Sequence, residues 1–203
     1  MLKKIQQDSH DKFEALGYPS KKLENWKFSP SKHLKKYSSK NLDQSNFSIE
    51  EYSDKYTLCF INGELATESL NHFIYKDSIT ILDIGELEDN SICSTSSNFE
   101  KEAFFHLGLS SIKTGKYFEF HKGVKFENPI KIINIYNKSE KDLRISSFNV
   151  FKLNEGNDIS IIEKDVNEGS GSFNLNLNKF ICPDNTIFCL LYTSDAADEG
   201  LGV

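Results

Sequence analysis

Hydrophobic and polar positions follow two different periods along this chain. In the first part, Leu2, Ile5 and Phe13 fall close to one helical face, and charged residues occupy the others. This pattern predicts an amphipathic helix over residues 2–16. In the second part, apolar and polar residues alternate, as in residues 172–178, which is typical of a β-strand. The chain is therefore expected to combine a helical amino-terminal region with a mainly β remainder.

Turn-forming residues end the first helix. Gly17 suits a left-handed helix cap, and Pro19 cannot continue the helix. A second short helix is predicted directly after Pro19, and it would place Leu23 and Trp26 three residues apart against the first helix. Residues 29–53 are polar and rich in Ser, Lys and Asn, so they predict a loop with at most a short helical turn.

Two strands and a helix are predicted between residues 56 and 110. The first strand ends at an Asn-Gly pair, which is a strong hairpin signal. The helix has apolar residues four positions apart and acids in its first turn. These elements are a strand at 56–61, a turn at Asn62-Gly63 leading into Glu64-Leu65-Ala66, a strand at 79–84, a loop at 85–97, and a helix capped by Asn98 that carries Phe99, Ala103 and Leu107.

From residue 116 onward, short strand-like runs recur every 14 residues with no helix between them. Turn residues such as Gly123, Pro129 and Gly156 separate the runs. This regularity predicts an all-β sandwich, a meander or a β-solenoid, and the spacing alone does not choose among them. The strands are predicted to start at Lys116, Ile130, Arg144, Asp158 and Ser172.

The charge of the chain is unevenly distributed. The formal net charge of −6 argues against a protein that binds nucleic acid through bulk charge. The first 40 residues nevertheless carry ten lysines, which form either a solvated helix face, the commoner case, or an arm that docks on an acidic partner or RNA. Residues 1–13 lack the apolar core of a signal peptide, and no apolar run approaches membrane-spanning length. We therefore expect no nucleic-acid partner and no membrane insertion.

No self-sufficient catalytic constellation stands out in the sequence. A complete phosphate-binding loop and a His-Glu-x-x-His motif are both missing. His106 and His121 flank the first strand of the second part and are candidate ligands, although a histidine beside aromatic residues is more often packed or at the surface. Glu163 and Asp165 fall on one face of a strand, which suggests acid/base work, but a solvated edge pair is commoner. We therefore assign no catalytic, cofactor-binding or metal-binding residue from the sequence.

The cysteines are widely spread. Cys59, Cys93, Cys182 and Cys189 form no Cys-x-x-Cys pair, which argues against a structural zinc site and a disulfide framework. Ligation of iron by thiolates needs clustered cysteines or residues from a partner. We predict that Cys59 and Cys182 are small buried hydrophobic residues, with cluster ligation as the alternative.

The carboxyl-terminal tail has a composition unlike the rest of the chain. Residues 189–199 read like the translation of a transposase-type sequencing adapter, and residues 200–203 like index and primer sequence read in frame. The alternative is a natural short polar terminus. We predict that residues 189–203 are derived from an adapter, that the natural chain breaks off near Phe188, and that the sequence is a truncated amino-terminal fragment.

Several motifs occur in an informative order. Residues 17–30 contain a Gly, a Pro, a Lys pair, a Glu and the only tryptophan, Trp26. Residues 115–130 hold an aromatic strand followed by Lys-Gly-Val, Glu and Pro-Ile. Residues 144–163 hold a turn before a strand that ends in Glu, and residues 172–180 are rich in Phe and Asn. In this order the segments resemble the SufD branch of the SufB/SufD family of iron–sulfur cluster assembly proteins.

The likeness covers residues 12–188, with two departures: Thr114 stands where the family has an acid, and residues 106–108 read His-Leu-Gly where relatives have an Asn-centred helix. The resemblance implies a mainly β fold with a small α-helical N-terminal region, in which the β part is a right-handed parallel β-helix, or solenoid, here truncated. It implies four parts: a helical N-terminal region and linker at 1–55, a small α/β connecting region at 56–110, the start of the β-helix core at 111–188, and the adapter-derived tail at 189–203.

The resemblance also implies a function. A SufD-type chain is a non-catalytic scaffold subunit of the cytoplasmic Suf complex, whose partners are SufB and SufC homologues. The iron–sulfur cluster would be assembled by the complex rather than bound by this fragment, and ATP would enter through the ATPase SufC. Two alternatives stay open: a SufB-type paralogue that ligates the cluster, and a β-helix carbohydrate-active enzyme.

Overall fold

The described part of the chain forms two β-sheets with a small helical region at the amino terminus. The computed structural model describes residues 2–28, 31–39, 47–87, 99, 101–136, 142–167 and 172–194. The helices are α1 (Leu2–Leu16), α2 (Thr67–His72) and α3 (Ala103–Ser110). The strands are β1 (Thr57–Ile61), β2 (Glu64–Leu65), β3 (Ile79–Asp83), β4 (Lys116–Phe120), β5 (Ile130–Tyr136), β6 (Leu143–Lys152), β7 (Asp158–Asn167), β8 (Ser172–Ile181) and β9 (Ile187–Ser194).

Short 3-10 turns accompany these elements at Glu24–Trp26, Lys32–Lys36, Lys76–Ser78 and Ile84–Glu86. The helix α1 has 15 residues, which corresponds to roughly 22 Å at the usual rise per residue and is shorter than the apolar core of a bilayer. Within the described ranges, no helix is long and apolar enough to cross a membrane.

From β4 onward, successive strands alternate between the two sheets. Sheet I has the strand order β2-β1-β5-β7-β9, and sheet II has the order β3-β4-β6-β8. The pairs β1–β5, β5–β7 and β7–β9 are parallel, as are β4–β6 and β6–β8, whereas β2 and β3 pair antiparallel with their neighbours. Each strand from β4 to β7 thus pairs with the strand two positions later in the chain. Both sheets are mixed, and in the described residues neither closes on itself.

An aromatic column fills one half of the space between the sheets. Phe118, Phe151 and Phe180 occupy matching registers on β4, β6 and β8, and their stacked ring centroids are 4.8 Å and 5.0 Å apart. Ile130 and Ile161 of sheet I belong to the same buried cluster. Because paired parallel strands lie about 4.8 Å apart, residues of equal register stack directly and bury their apolar surface together.

Helices cover the outer face of sheet II. Phe148 and Val150 of β6 lie in a buried cluster with residues of α3, and Leu177 of β8 packs against the same cluster. Gly108 of α3 lies so close to β8 that an added Cβ would stand 3.0 Å from Leu177 Cδ1. Sheet II is therefore apolar on its outer face as well as over half of its inner face. An antiparallel sheet at the protein surface commonly has one polar, solvated face instead.

The start of β4 makes the closest backbone contact in this region. A Cβ added to Gly115 would lie 1.9 Å from the carbonyl oxygen of Phe148 on β6. The Gly115 carbonyl accepts a hydrogen bond from the Ile84 N–H at 3.1 Å, and the Phe148 N–H donates to the Thr114 carbonyl at 3.2 Å. A side chain at Gly115 would therefore separate β4 from β6 where their pairing begins.

Most boundaries predicted from the sequence are confirmed. The helix α1 covers residues 2–16, the Asn-Gly pair joins β1 to β2, and β4, β5, β7 and β8 begin at the predicted residues, while β6 begins one residue early at Leu143. The short helix predicted after Pro19 is the 3-10 turn Glu24–Trp26. The mainly β fold with a small helical amino-terminal region is confirmed.

Three expectations differ from the structure. The helix predicted from Phe99 begins at Ala103, and its predicted cap, Asn98, lies outside the described residues. The helix α2 is not predicted by hydrophobic period, because Leu70 is the one large apolar residue in its six positions. The strand β9 runs beyond Phe188 into the segment expected to be foreign, and it pairs with β7 along eight positions.

Candidate functional site

Polar side chains fill the other half of the space between the sheets. They come from alternate positions of β5, β6, β7 and β8, and they face partners in matching registers. In sheet II, for example, the Ser147 hydroxyl donates to Asn176 Oδ1 at 2.8 Å. We call the following residues the polar cluster: Asn134, Ser147, Asn149, Glu163, Asp165, Asn176 and Asn178.

Glu163 is the centre of the polar cluster. Glu163 is only 4% exposed to solvent. Its Oε1 accepts hydrogen bonds from Asn134 Nδ2 and Asn176 Nδ2, both at 2.8 Å, and Asn178 Nδ2 donates to both carboxylate oxygens at 3.0 Å. The strand β7 is thereby tied to β5 in its own sheet and to β8 in the opposite one. A buried carboxylate is tolerated when hydrogen-bond donors of this kind satisfy it.

The amides that bind Glu163 are supported by a further row of hydrogen bonds. Asn149 Nδ2 donates to Asn178 Oδ1 at 3.2 Å, and the backbone N–H of Lys116 donates to Asn149 Oδ1 at 3.0 Å. A continuous chain of hydrogen bonds therefore runs from β4 through β6 and β8 to Glu163 on β7. Where the dielectric constant is low, the successive hydrogen bonds of such a chain polarise and strengthen one another.

A second carboxylate lies beside the first. Asn134 Nδ2 donates to Asp165 Oδ1 at 2.9 Å, and the Tyr192 hydroxyl on β9 donates to Asp165 Oδ2 at 2.6 Å. Both carboxylates therefore occupy one face of β7, as the sequence predicts. The expectation of a solvated pair is wrong for Glu163, because that face of β7 points between the sheets and not toward water.

Burial controls the proton equilibrium of Glu163. Burial raises the pKa of its carboxyl above the ordinary value of 4.5, and the negative charge of Asp165 acts in the same direction. Hydrogen bonds from Asn134, Asn178 and Asn176 favour the ionised form and limit the rise in the pKa without cancelling it. The carboxylate therefore relies on amide donors and not on a neighbouring cation.

The geometry suits joining the two sheets. Both oxygens of the Glu163 carboxylate already accept hydrogen bonds from side chains that are held in register by their own strands. Among the described residues, no group of three or more His, Cys, Asp and Glu side chains is placed to hold a metal ion. The hydrogen bonds of Glu163 to both sheets make the polar cluster a fixed internal link that specifies how the sheets face each other.

The two candidate histidines lie in different surroundings. His106 is on α3, is 2% exposed, and its ring centroid is 5.5 Å from that of Phe105. His121 directly follows β4, is exposed, and its Nε2 is 3.2 Å from the hydroxyl of Thr80. The expectation of packed or surface histidines is confirmed, and the structure brings neither of them into the polar cluster.

The cysteines divide into one buried and two exposed residues within the described ranges. Cys59 lies in β1, as predicted for a small buried hydrophobic residue, and burial raises the pKa of its thiol to about 12. The same prediction for Cys182 is wrong: that residue is exposed, because it follows the end of β8 and precedes Pro183 in a turn. Cys189 is also exposed, and Cys93 lies outside the described residues.

The segment around the only tryptophan is anchored by aromatic contacts. The Trp26 ring meets Phe104 of α3 edge-on at a centroid distance of 4.9 Å, and Phe104 in turn meets Phe173 of β8 at 5.5 Å. The buried Ser31 hydroxyl donates to the Pro19 carbonyl at 2.5 Å and closes the segment on itself. We call residues 17–28 and 31–36 the amino-terminal arm.

The asparagines of the polar cluster are the site residues that the sequence analysis misses. Period-two reasoning separates Asn176 and Asn178 from their apolar neighbours but does not say which face points between the sheets. The structure places apolar Leu175 and Leu177 under the helices instead. The sequence does carry one signal for these residues, which is a constant separation between polar positions. The hydrogen-bonded pairs Asn134–Glu163, Ser147–Asn176 and Asn149–Asn178 are each 29 residues apart.

No family model matches this chain, and no curated protein matches it. The residues and their geometry are therefore what bears on its function.

Proposed function

We propose that this chain is a non-catalytic scaffold subunit of the SufB/SufD family, in the SufD branch. The observation that carries the proposal is the parallel, alternating arrangement of the strands from β4 to β9. A chain that returns to the same sheet at every second strand, with matching side chains in register, has the organisation expected of stacked coils.

In this proposal the two sheets are two walls of a right-handed parallel β-helix. Residues in register are 29 positions apart in β6–β8 and β7–β9, 31 apart in β5–β7 and 33 apart in β4–β6, so one full coil would take 29 to 33 residues, slightly more than two half-coils of 14. Parallel crossover connections are right-handed in about 98% of cases, which supplies the handedness. The stacked Phe column and the Asn rows are the ladders that coils of similar sequence form when they stack.

The proposed parts follow from this arrangement. Residues 1–55 form the helical N-terminal region and linker, and residues 56–110 connect it to the coils that begin at 111. The contact that supports an ordered N-terminal region is the cluster of Phe13 on α1 with Ala103 and Leu107 on α3, against which Phe173 of β8 packs. The helical region thus rests on the wall of the solenoid, where it is available as a docking surface.

The proposed role is to hold partner subunits in place. The partners are SufB and SufC homologues in the cytoplasm, the iron–sulfur cluster is assembled by the complex, and ATP enters through SufC. An internal carboxylate whose oxygens are taken up by amide donors fits a subunit that supplies a rigid surface and leaves the chemistry to its partners.

Co-purification tests the proposal. The full-length protein encoded by the gene, carrying an affinity tag, is co-expressed with the SufB and SufC homologues of the same organism and recovered in reducing buffer. We expect both homologues to be retained in constant proportion through size-exclusion chromatography. An ATPase from an ABC transporter, expressed in place of SufC, is the matched control and should wash through.

Circular dichroism of the purified protein accompanies the pull-down and verifies that the protein used as bait is folded. A folded, monodisperse full-length protein that retains neither homologue would overturn the Suf assignment. Retention of the transporter ATPase to the same extent as SufC would overturn it as well, because it would show nonspecific adhesion.

A further inference from the structure

A groove lined by both apolar and polar residues lies between the amino-terminal arm and the start of α3. Its volume is about 610 Å³. Two of the leucines that line it are unusually open to solvent, since Leu16 is 44% exposed and Leu23 is 54% exposed. We call it the arm groove; its lining includes Leu16, Tyr18, Pro19, Leu23, Trp26 and Ala103.

The arm beside this groove is basic, although the chain as a whole is acidic. The arm carries six lysines and a single acid, Glu24, against a net charge of −6 for the whole chain. Lys21 and Lys22 are exposed and line a second groove of about 400 Å³, which shares Pro19 with the first and reaches Lys32. Exposed apolar side chains next to concentrated positive charge are the complement of an acidic, partly apolar ligand.

We propose that the arm groove binds an acidic segment of another protein, which inserts an apolar side chain between Leu16 and Leu23 and faces the lysines of the arm with its carboxylates. The proposal does not depend on the Suf assignment. It concerns a surface made by the arm and α3, away from the coil-to-coil contacts that carry that assignment.

The aromatic rings of the arm favour a protein ligand over RNA. Binding of single-stranded nucleic acid uses open ring faces on which bases stack. Here the Tyr18 ring is already engaged edge-on by Phe13 at 5.2 Å, with the Lys35 ammonium 5.5 Å from its centroid, and Trp26 is engaged by Phe104. Phe28 of the arm is 87% exposed but does not line the groove, and the open apolar side chains that do line it, Leu16 and Leu23, are aliphatic and suit the apolar side chains of a peptide.

The acids of the groove also bear on the ligand. Glu24 and Glu102 line the arm groove itself, together with Lys101, so a ligand with a negative charge at every unit would meet repulsion from the two glutamates there. An amphipathic peptide avoids this by directing its apolar side into the groove and its carboxylates toward Lys21 and Lys22. The surface therefore favours a ligand whose negative charges lie on one side only.

Trp26 is the only tryptophan in the chain and lines the groove, so its emission reports binding directly. The probe is a synthetic peptide of about 14 residues, roughly four helical turns, with Leu at every third or fourth position and Glu elsewhere. Matched peptides carry Lys for Glu or Ala for Leu. We expect the Glu/Leu peptide to shift Trp26 emission saturably, to bind more weakly as salt rises, and to outperform both matched peptides by roughly tenfold or more.

Variants of the full chain locate the surface. Charge reversal by Lys21→Glu with Lys22→Glu, and separately Leu23→Asp, should each weaken peptide binding by roughly tenfold. The matched control is Lys3→Glu with Lys4→Glu, which reverses two adjacent exposed lysines of α1 and changes the net charge equally. Anisotropy of a labelled peptide provides a readout that does not depend on Trp26.

The proposal is supported if the arm variants lose binding and the α1 variant stays within about twofold of the unsubstituted chain. It is overturned if no peptide binds by either readout, or if both charge reversals weaken binding equally. It is also overturned if an oligouridylate RNA binds more tightly than the Glu/Leu peptide and displaces it.

Discussion

Asn178 donates hydrogen bonds to both carboxylate oxygens of Glu163, each at 3.0 Å, and so links β8 of sheet II to β7 of sheet I. Asn178 also accepts a hydrogen bond from Asn149 on the neighbouring strand β6. A single amide therefore connects strands within a sheet and across the interior. The interior is apolar at the Phe column and polar at this link, so the two halves of the space between the sheets differ in polarity.

Removal of the central carboxylate should destabilise the fold. Glu163→Ala would leave the amide groups of Asn134, Asn176 and Asn178 without their shared acceptor in a buried setting. We expect a loss of about 3 kcal/mol in the free energy of unfolding, measured by urea titration. Glu127→Ala, at an exposed position, is the control and should change the value by less than about 0.5 kcal/mol. Equal effects of the two substitutions would contradict a structural role for Glu163.

The raised pKa of Glu163 gives a prediction for the pH dependence of stability. Between the ordinary value of 4.5 and the raised pKa, the folded chain keeps a proton that the unfolded chain has lost. Unfolding then releases a proton, so the Glu163 contribution to the free energy of unfolding falls as the pH rises through this window and is constant above it.

The comparison with Glu163→Gln isolates that contribution. Urea titrations of both proteins from about pH 4 to pH 7 should show a difference, unsubstituted minus variant, that declines with rising pH. Titrating groups that do not interact with Glu163 cancel in the difference. A difference that rises with pH would mean that the pKa of Glu163 is lowered by its amide donors, contrary to the dominance of burial.

The contact between Gly115 and β6 predicts an intolerant position. Gly115→Ala would bring a Cβ to within 1.9 Å of the Phe148 carbonyl oxygen, so the backbone must move. We expect a cost of about 2 kcal/mol or more in the free energy of unfolding. Gly85→Ala is a matched control, because an added Cβ there meets nothing within 4 Å. A Gly115→Ala protein as stable as the Gly85→Ala protein would refute the close approach of β4 and β6.

Sequence periodicity predicts the strands well and the faces of those strands poorly. Strand starts such as Ile130 and Ser172 are confirmed because turn residues mark them locally. Which face of β8 is internal depends on α3, and α3 is brought over β8 by contacts such as Gly108 with Leu177 that are distant in sequence. Local pattern cannot contain that information, so Glu163 is predicted to be solvated although it is buried.

The carboxyl-terminal segment also shows what local sequence pattern cannot decide. Alternating apolar residues place Phe188 against Phe180 at a centroid distance of 4.9 Å, and β9 pairs with β7 in parallel. Any segment with this alternation can extend a sheet edge, so the pairing does not bear on where residues 189–203 come from. Their adapter origin stays a prediction, and resequencing of the gene across codon 188 decides it.

The central claim is that each strand from β4 to β7 pairs, in parallel and in a fixed register, with the strand two positions later in the chain. Disulfide formation tests this claim most directly. Lys131 on β5 lies opposite Ile162 on β7, so cysteines at these two positions would have Cα atoms about 4.8 Å apart, within reach of a disulfide. Lys164 lies two residues further along β7, and its Cα should be roughly 8 Å from that of Lys131, beyond that reach.

The experiment uses chains in which Cys59 is replaced by Ala and the other native cysteines by Ser, with either Lys131→Cys and Ile162→Cys or Lys131→Cys and Lys164→Cys. After mild oxidation, intact mass and thiol labelling are measured for the folded monomer. The account predicts that the first pair forms an internal disulfide nearly completely and that the second pair remains reduced. Absence of the disulfide in the first pair, or its equal formation in both, would contradict the parallel coil arrangement on which the proposed function depends.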